Sequence, residues 1–177
     1  MAERLVVIGG DAAGMSAAMQ ARRRLPYLEI VALEKSAWTS YSACGIPYLV
    51  AGDVDSLEQL VARSPEEFRE KHRIDVRLHH EAVGIDVAAR TVEVRDHTRR
   101  RNISLGFDQL HVATGARPTR PDLPGIDLDH VKGVQTLDDA KALEDHARTS
   151  HCRSVVVVGG GYIGLEMAEA FIRWGLM

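Results

Sequence analysis

The sequence contains few of the features that characterise secreted or membrane proteins. Its 177 residues include two cysteines, Cys44 and Cys152, too few for the disulfide framework of a small secreted domain. Its longest apolar runs, such as residues 155–158, are far shorter than the roughly 20 residues that span a bilayer. No apolar signal core follows the first methionine. We therefore expect a cytoplasmic protein with no membrane partner.

Charge and metal-ligand patterns are also sparse. The formal net charge is -3, which gives no reason to expect a nucleic acid as partner. The eight histidines show no metal-ligand spacing. Even the neighbouring pair His79 and His80 would point to opposite faces of a strand. We predict no metal site. With 45% hydrophobic and 27% charged residues, the composition is that of a globular protein.

A strand, a helix and a second strand are predicted over residues 4–34. Residues 4–9 and 28–33 are apolar, β-branched runs typical of buried parallel strands. Residues 14–25 have helical spacing, and Pro26 ends that helix. Together they predict one compact βαβ unit.

The first turn of this unit resembles a dinucleotide-binding turn. Gly9 can supply the tight bend, Ala13 is small, and Gly14 allows the helix to pack closely on the strand. The strict pattern has glycine where this chain has Asp11. Glu34 stands at the end of the second strand, where a carboxylate binds ribose hydroxyls. The alternative is a glycine turn without a ligand.

The remaining pattern alternates strands with helices and predicts a doubly wound, Rossmann-like α/β fold, in which a parallel sheet with helices is joined by a small antiparallel meander. Ser64 and Pro65 mark a helix start, because serine caps a helix and proline suits its first position. Strands are predicted over residues 75–78, 82–87, 91–94, 103–114 and 154–158, and further helices over 138–149 and 162–175. Three regions follow: a nucleotide-binding domain over 1–117, a connecting loop and helix over 118–150, and the start of a second domain over 151–177.

A second glycine fingerprint opens that last region. Gly159, Gly161 and Gly164 match Gly-x-Gly-x-x-Gly in full, between an apolar run and a helix. The residue that would select NADH or NADPH is not among the 177. We expect these residues alone not to complete turnover, and the apolar side chains of the last helix to stay partly exposed: Ile163, Leu165, Met167, Phe171 and Trp174.

Cys44 is the candidate redox residue. Gly-Ile-Pro-Tyr follows it, so a helix is expected to begin there, and a helix N-terminus stabilises a thiolate. Four-residue spacing finds Thr39 in place of a partner cysteine, so no local dithiol is predicted. The alternative is a buried structural cysteine. We expect Cys152 to serve only packing.

These motifs together resemble the single-cysteine flavoprotein disulfide reductases, which include coenzyme A-disulfide reductase, NADH oxidase, NADH peroxidase and persulfide reductase. The resemblance spans the chain. It is carried by the 9–14 turn, Glu34 with Lys35, the segment 40–48 around Cys44, residues 108–115, 123–125, and the 159–164 turn with Glu166.

The resemblance implies an enzyme that passes hydride from NAD(P)H through FAD to Cys44, which reduces a disulfide, persulfide, peroxide or O2. The implied cofactor-binding residues are Gly9, Gly10, Ala13, Gly14, Glu34, Lys35, Ser42, Val83, Thr114 and Gly115, with Gly159, Gly161, Gly164 and Glu166 at the second turn. Ser40, Lys71 and Arg22 match or lie near positions that the family uses around coenzyme A.

One departure concerns the substrate. Coenzyme A-disulfide reductases usually carry Asn before the cysteine, where this chain has Ala43. The resemblance also implies a homodimer. Two other functions stay open: a flavin reductase that feeds a protein electron carrier, and an FAD-binding chain without turnover.

Overall fold

The computed structural model describes residues 3–149 and 152–176, without the side chains of residues 147 and 148. Strands and helices alternate along most of it. In chain order the elements are β1 (Arg4–Ile8), α1 (Ala12–Arg24), β2 (Glu29–Leu33), a 3-10 turn (Ala43–Gly45), α2 (Ile46–Ala51), a second 3-10 turn (Leu57–Leu60), α3 (Pro65–His72), β3 (Ile74–Arg77), β4 (His80–Asp86), β5 (Thr91–Asp96), β6 (Arg101–Gly106), β7 (Gln109–Val112), α4 (Leu137–Thr149) and α5 (Tyr162–Arg173).

These elements fall into two compact units. Unit 1 comprises the described residues up to 41 together with 61–116, and unit 2 comprises 42–60 with the described residues from 117 onward. The predicted nucleotide-binding domain, 1–117, differs from unit 1 mainly in residues 42–60. That segment folds on α4 and α5, whose contacts with it cannot be read from local sequence.

Unit 1 contains a parallel sheet in the order β3-β2-β1-β7. Its central strand is β1, in which Leu5 pairs with Ile30 on one side and Gln109 on the other. A separate antiparallel sheet has the order β4-β5-β6. The predicted α/β class with a small antiparallel meander is therefore confirmed.

Strands β1 and β2 are buried on both faces, which explains their uninterrupted apolar sequences. On one face Leu5 and Val7 pack with residues of α1 and with Phe68 of α3. On the other face Val6 and Ile8 pack with residues of β5 and β6. Helices thus cover one face and the meander covers the other.

Two predicted strands differ from the structure. The strand expected over 103–114 is two strands, β6 and β7, because the chain leaves the meander at Phe107 and joins the parallel sheet at Asp108. The strand expected over 154–158 is irregular. Val156 and Val158 are 87% and 96% exposed, and none of the described residues pairs with this segment as a neighbouring strand.

Side-chain caps begin two of the helices, and the one predicted from the sequence, at Ser64, is confirmed. Ser64 Oγ accepts the backbone N–H of Glu67 at 3.2 Å and begins α3 as expected. Thr136 and Asp139 form a reciprocal capping pair at the start of α4, in which Asp139 N donates to Thr136 Oγ1 at 3.2 Å and Thr136 N donates to Asp139 Oδ2 at 2.8 Å.

Unit 2 is held together by helices. α5 packs on α2 and buries Met167 and Phe171, which corrects our expectation that both would stay exposed. Ile163 and Leu165 do remain 61% and 62% exposed. Arg173 also forms a bidentate pair with Asp53 at 2.5 and 2.6 Å.

No helix within residues 3–149 and 152–176 is long and apolar enough to cross a membrane. In the same ranges no three His, Cys, Asp or Glu side chains come together as a metal site would require.

Candidate dinucleotide-binding turns and redox thiol

The turn between β1 and α1 is built on two glycines in close contact. Gly9 has a φ of +112°, which side-chain-bearing residues rarely adopt. A Cβ on Gly9 would overlap the carbonyl of Ala113, and a Cβ on Gly14 would overlap the carbonyl of Gly9. Only glycine therefore fits at either position, and the backbone N–H groups at the start of α1 are left without side chains over them.

Glu34 is fastened to this turn by the backbone. Its Oε2 accepts the N–H of Gly10 at 2.8 Å, and its Oε1 accepts the N–H of Ser36 at 2.8 Å. A Cβ at position 10 would overlap the side chain of Glu34, so glycine is required there. Lys35, also a candidate, is exposed beside it. The carboxylate is thus held at the carboxyl end of β2, as the sequence predicts.

Residues 39–41 are tied to the same turn, which sequence reasoning missed. The buried Thr39 donates its Oγ1–H to the Gly10 carbonyl at 2.5 Å, and the N–H of Ser40 donates to the same oxygen at 3.0 Å. The N–H of Tyr41 donates to Asp11 Oδ1 at 3.2 Å. Burial raises the pKa of Asp11, and the hydrogen bond from Tyr41 opposes that rise.

The other candidates around the first turn are surface positions. Ala13 is exposed in the first turn of α1. Val83 is 46% exposed at an irregularity in the β4–β5 register. Thr114 and Gly115 follow β7, and Gly115 has a φ of +70°. Their ligand roles stay predictions.

Cys44 lies in the 3-10 turn that precedes α2, and its side chain is exposed. The turn is closed by Gly45 N, which donates to the Ser42 carbonyl at 3.0 Å, and is anchored by Ser42 N, which donates to the Leu60 carbonyl at 2.8 Å. A Cβ on Gly45 would overlap the side chain of Leu60. No disulfide joins Cys44 to the half-buried Cys152. The turn therefore presents one thiol to solvent.

The second turn repeats the geometry of the first at its first and last glycines. Gly159 has a φ of +121°, and a Cβ on Gly164 would overlap the Gly159 carbonyl. Gly161 caps α5 at the position that Asp11 holds at α1. Glu166 is exposed on the second turn of α5. This half of the motif forms although no strand pairs with the described residues before it.

A cavity of about 340 Å³ lies along α1 in unit 1. Ser40, Arg23 and Arg63 contribute polar groups to its wall, and Met15, Met19 and Phe68 contribute apolar ones. Ser40 was a predicted substrate-binding residue. Lys71, a second predicted substrate-binding residue, forms an exposed salt bridge in which its Nζ lies 3.3 Å from Glu67 Oε1.

Arg22, the third predicted substrate-binding residue, has structural partners. Its guanidinium donates to the carbonyls of His72, Pro26 and Arg73 at 2.9, 2.8 and 2.7 Å. The carbonyls of His72 and Arg73 end α3, where a cation is favourable. Arg22 thus fastens α1 to α3, while its neighbour Arg23 lines the cavity.

A family model described as "Pyridine nucleotide-disulphide oxidoreductase" matches residues 3–176. The NAD(P)H sulfur oxidoreductase (CoA-dependent) of Pyrococcus abyssi is 41% identical over 97% of this chain and 37% of its own length. The chain therefore spans little more than a third of that curated relative.

Two solved structures are similar in fold to this chain. Reduced CoADR-RHD of Bacillus anthracis matches with a TM-score of 0.95 and 28% identity, over 99% of this chain and 32% of that chain. The water-forming NADH oxidase of Lactobacillus brevis, solved bound to NADH, matches with a TM-score of 0.91 and 32% identity. The match covers 99% of this chain and 38% of that chain.

Adjacent arginines on α1 should differ in their effect on stability. Arg22→Ala removes three hydrogen bonds to backbone carbonyls, two of them at the end of α3, and we expect it to lower the free energy of unfolding by about 1–3 kcal/mol. Arg23→Ala should change it by less than about 0.5 kcal/mol. Urea unfolding of both variants checks this. Equal midpoints would show that the three bonds do not stabilise unit 1.

Proposed function

The chain belongs to the pyridine nucleotide-disulphide oxidoreductase family, and on that basis we propose that it carries the FAD-binding part of an enzyme that moves electrons from NAD(P)H to a disulfide, persulfide, peroxide or O2. The observation that carries the proposal is the bond between Gly10 N and Glu34 Oε2 at 2.8 Å. It holds Glu34, the carboxylate that we propose to bind ribose, against a turn in which positions 9 and 14 accept only glycine.

The residues present fit an adenine dinucleotide. The N–H groups at the start of α1 would hold the pyrophosphate, since Gly9 and Gly14 leave no side chain in the way. Glu34 would hold the ribose. Each of its oxygens accepts one backbone N–H and keeps a further lone pair for a hydroxyl. Val83, Lys35, Thr114 and Gly115 are further proposed contacts.

FAD, when bound, supplies two-electron hydride chemistry that no side chain can provide. The second turn, at Gly159–Gly161–Gly164, would hold the pyrophosphate of NAD(P)H in the same way, because its backbone repeats that of the first.

Cys44 is the proposed redox residue. Its thiolate would attack one sulfur of a disulfide, forming a mixed disulfide while the other sulfur leaves as a thiolate. With peroxide it would form a sulfenic acid. Either product needs two electrons to return to the thiolate. Since Cys44 and Cys152 are not joined, a single cysteine would carry the cycle.

The cavity along α1 suggests the substrate. Two guanidinium groups, those of Arg23 and Arg63, lie in the cavity wall. The polar side chains of Ser16, Gln20 and Ser40 and several apolar side chains complete the lining. This combination suits a long molecule with phosphate groups, because guanidinium binds phosphate well. We propose that it takes the phosphate-bearing part of coenzyme A, as the "CoA-dependent" P. abyssi relative suggests.

FAD binding should depend on Gly14. Gly14→Val places a branched side chain against the Gly9 carbonyl and the pyrophosphate position, so we expect no quenching of FAD fluorescence on titration. Gly133→Val, at a glycine with open space around it, should bind FAD like the parent chain. Circular dichroism must show both variants folded. Parent chain that leaves FAD fluorescence unchanged would contradict FAD binding.

Disulfide exchange should occur at Cys44. Incubated with coenzyme A disulfide, the chain should gain one coenzyme A adduct by intact mass. Cys44→Ser should abolish the adduct, and Cys152→Ser should retain it, because only Cys44 is exposed. Peptide mass spectrometry locates the adduct. Adduct mainly on Cys152 would remove Cys44 from the redox role and favour a flavin reductase or a chain without turnover.

The substrate cavity can be tested with Arg23→Ala and a lysine control. Arg23→Ala should weaken coenzyme A binding about tenfold, the loss of one charge-assisted bond. Lys35→Ala, outside the cavity wall, should leave it unchanged. Isothermal titration measures both. Unaltered affinity in Arg23→Ala would place coenzyme A elsewhere.

A further inference from the structure

Asp11 is a departure that the proposed function does not explain. It stands in the first turn where the second turn has Gly161, and where the dinucleotide pattern has glycine. The structure gives its side chain a specific contact, because Oδ1 accepts the N–H of Tyr41 at 3.2 Å. A glycine at this position has no side-chain oxygen that could accept that bond.

This contact completes a three-point attachment. Thr39 Oγ1 and Ser40 N both donate to the Gly10 carbonyl, at 2.5 and 3.0 Å. Tyr41 N then donates to Asp11. Residues 39–41 are therefore hydrogen-bonded to Gly10 and Asp11 of the turn. Cys44 follows Tyr41 by three positions in the sequence.

We propose that Asp11 is a positioning residue that couples occupation of the first dinucleotide turn to the segment leading to Cys44. The inference rests on the proposed FAD site. A pyrophosphate held by the N–H groups of this turn would order Gly10 and Asp11, and the bonds to residues 39–41 would pass that order along the chain. The burial that raises the pKa of Asp11 agrees with a carboxylate directed at the protein.

The attachment itself is tested without any ligand. Hydrogen exchange of the Tyr41 amide is followed by NMR in the parent chain, Asp11→Gly and Asp11→Asn. We expect exchange about tenfold faster in the glycine variant, which lacks the acceptor. The asparagine variant keeps a side-chain oxygen and should stay within about threefold. An unchanged rate in Asp11→Gly would overturn the proposal.

The coupling is tested with FAD, using iodoacetamide on a Cys152→Ser background and following Cys44 by peptide mass spectrometry. FAD should change the alkylation rate at least about threefold in the parent and Asp11→Asn chains, and less than about 1.5-fold in Asp11→Gly. Equal changes in all three chains, with FAD fluorescence quenched in each, would overturn the coupling alone. Unquenched FAD in the parent would instead overturn the FAD site, and the coupling with it.

Discussion

The carbonyl oxygen of Gly9 occupies the space that a side chain at position 14 would need, and the carbonyl of Ala113 occupies the space beside Gly9 itself. This close approach allows α1 to start directly above the end of β1. The position of α1 in turn determines the wall of the 340 Å³ cavity and the carbonyls that Arg22 can reach. Glu34 and residues 39–41 are then fastened to the same turn.

Local signals predicted much of this arrangement. The spacing of the glycines, whose backbone is conformationally permissive, identified both turns. Apolar runs identified β1 and β2, and Ser64 identified the start of α3. Each of these depends on residues within one turn or strand. Glu34 was predictable for the same reason, because parallel strands bring their carboxyl ends to one edge of the sheet.

Long-range contacts decided what the sequence could not predict. The apolar residues of 103–114 are compatible with either sheet. The segment divides into two strands because its first part pairs with β5, as β6, and its second part pairs with β1, as β7. The apolar residues of 154–158 suit a strand equally well, but a strand needs a hydrogen-bonded neighbour. Helical spacing on α1 could not distinguish Arg22 from Arg23, because only the position of α3 separates their roles.

The pairing of β1 with β7 also has a consequence for synthesis. Leu5 and Val6 emerge from the ribosome well before their partners Gln109 and Leu110, which lie near the end of unit 1. The Gly9 turn closes against Ala113, so it cannot reach its final shape before that residue is made. Such distant pairings slow folding. During translation the apolar strand β1 therefore keeps one edge unpaired until β7 has been made. That edge can bind chaperones or mispair with other nascent chains.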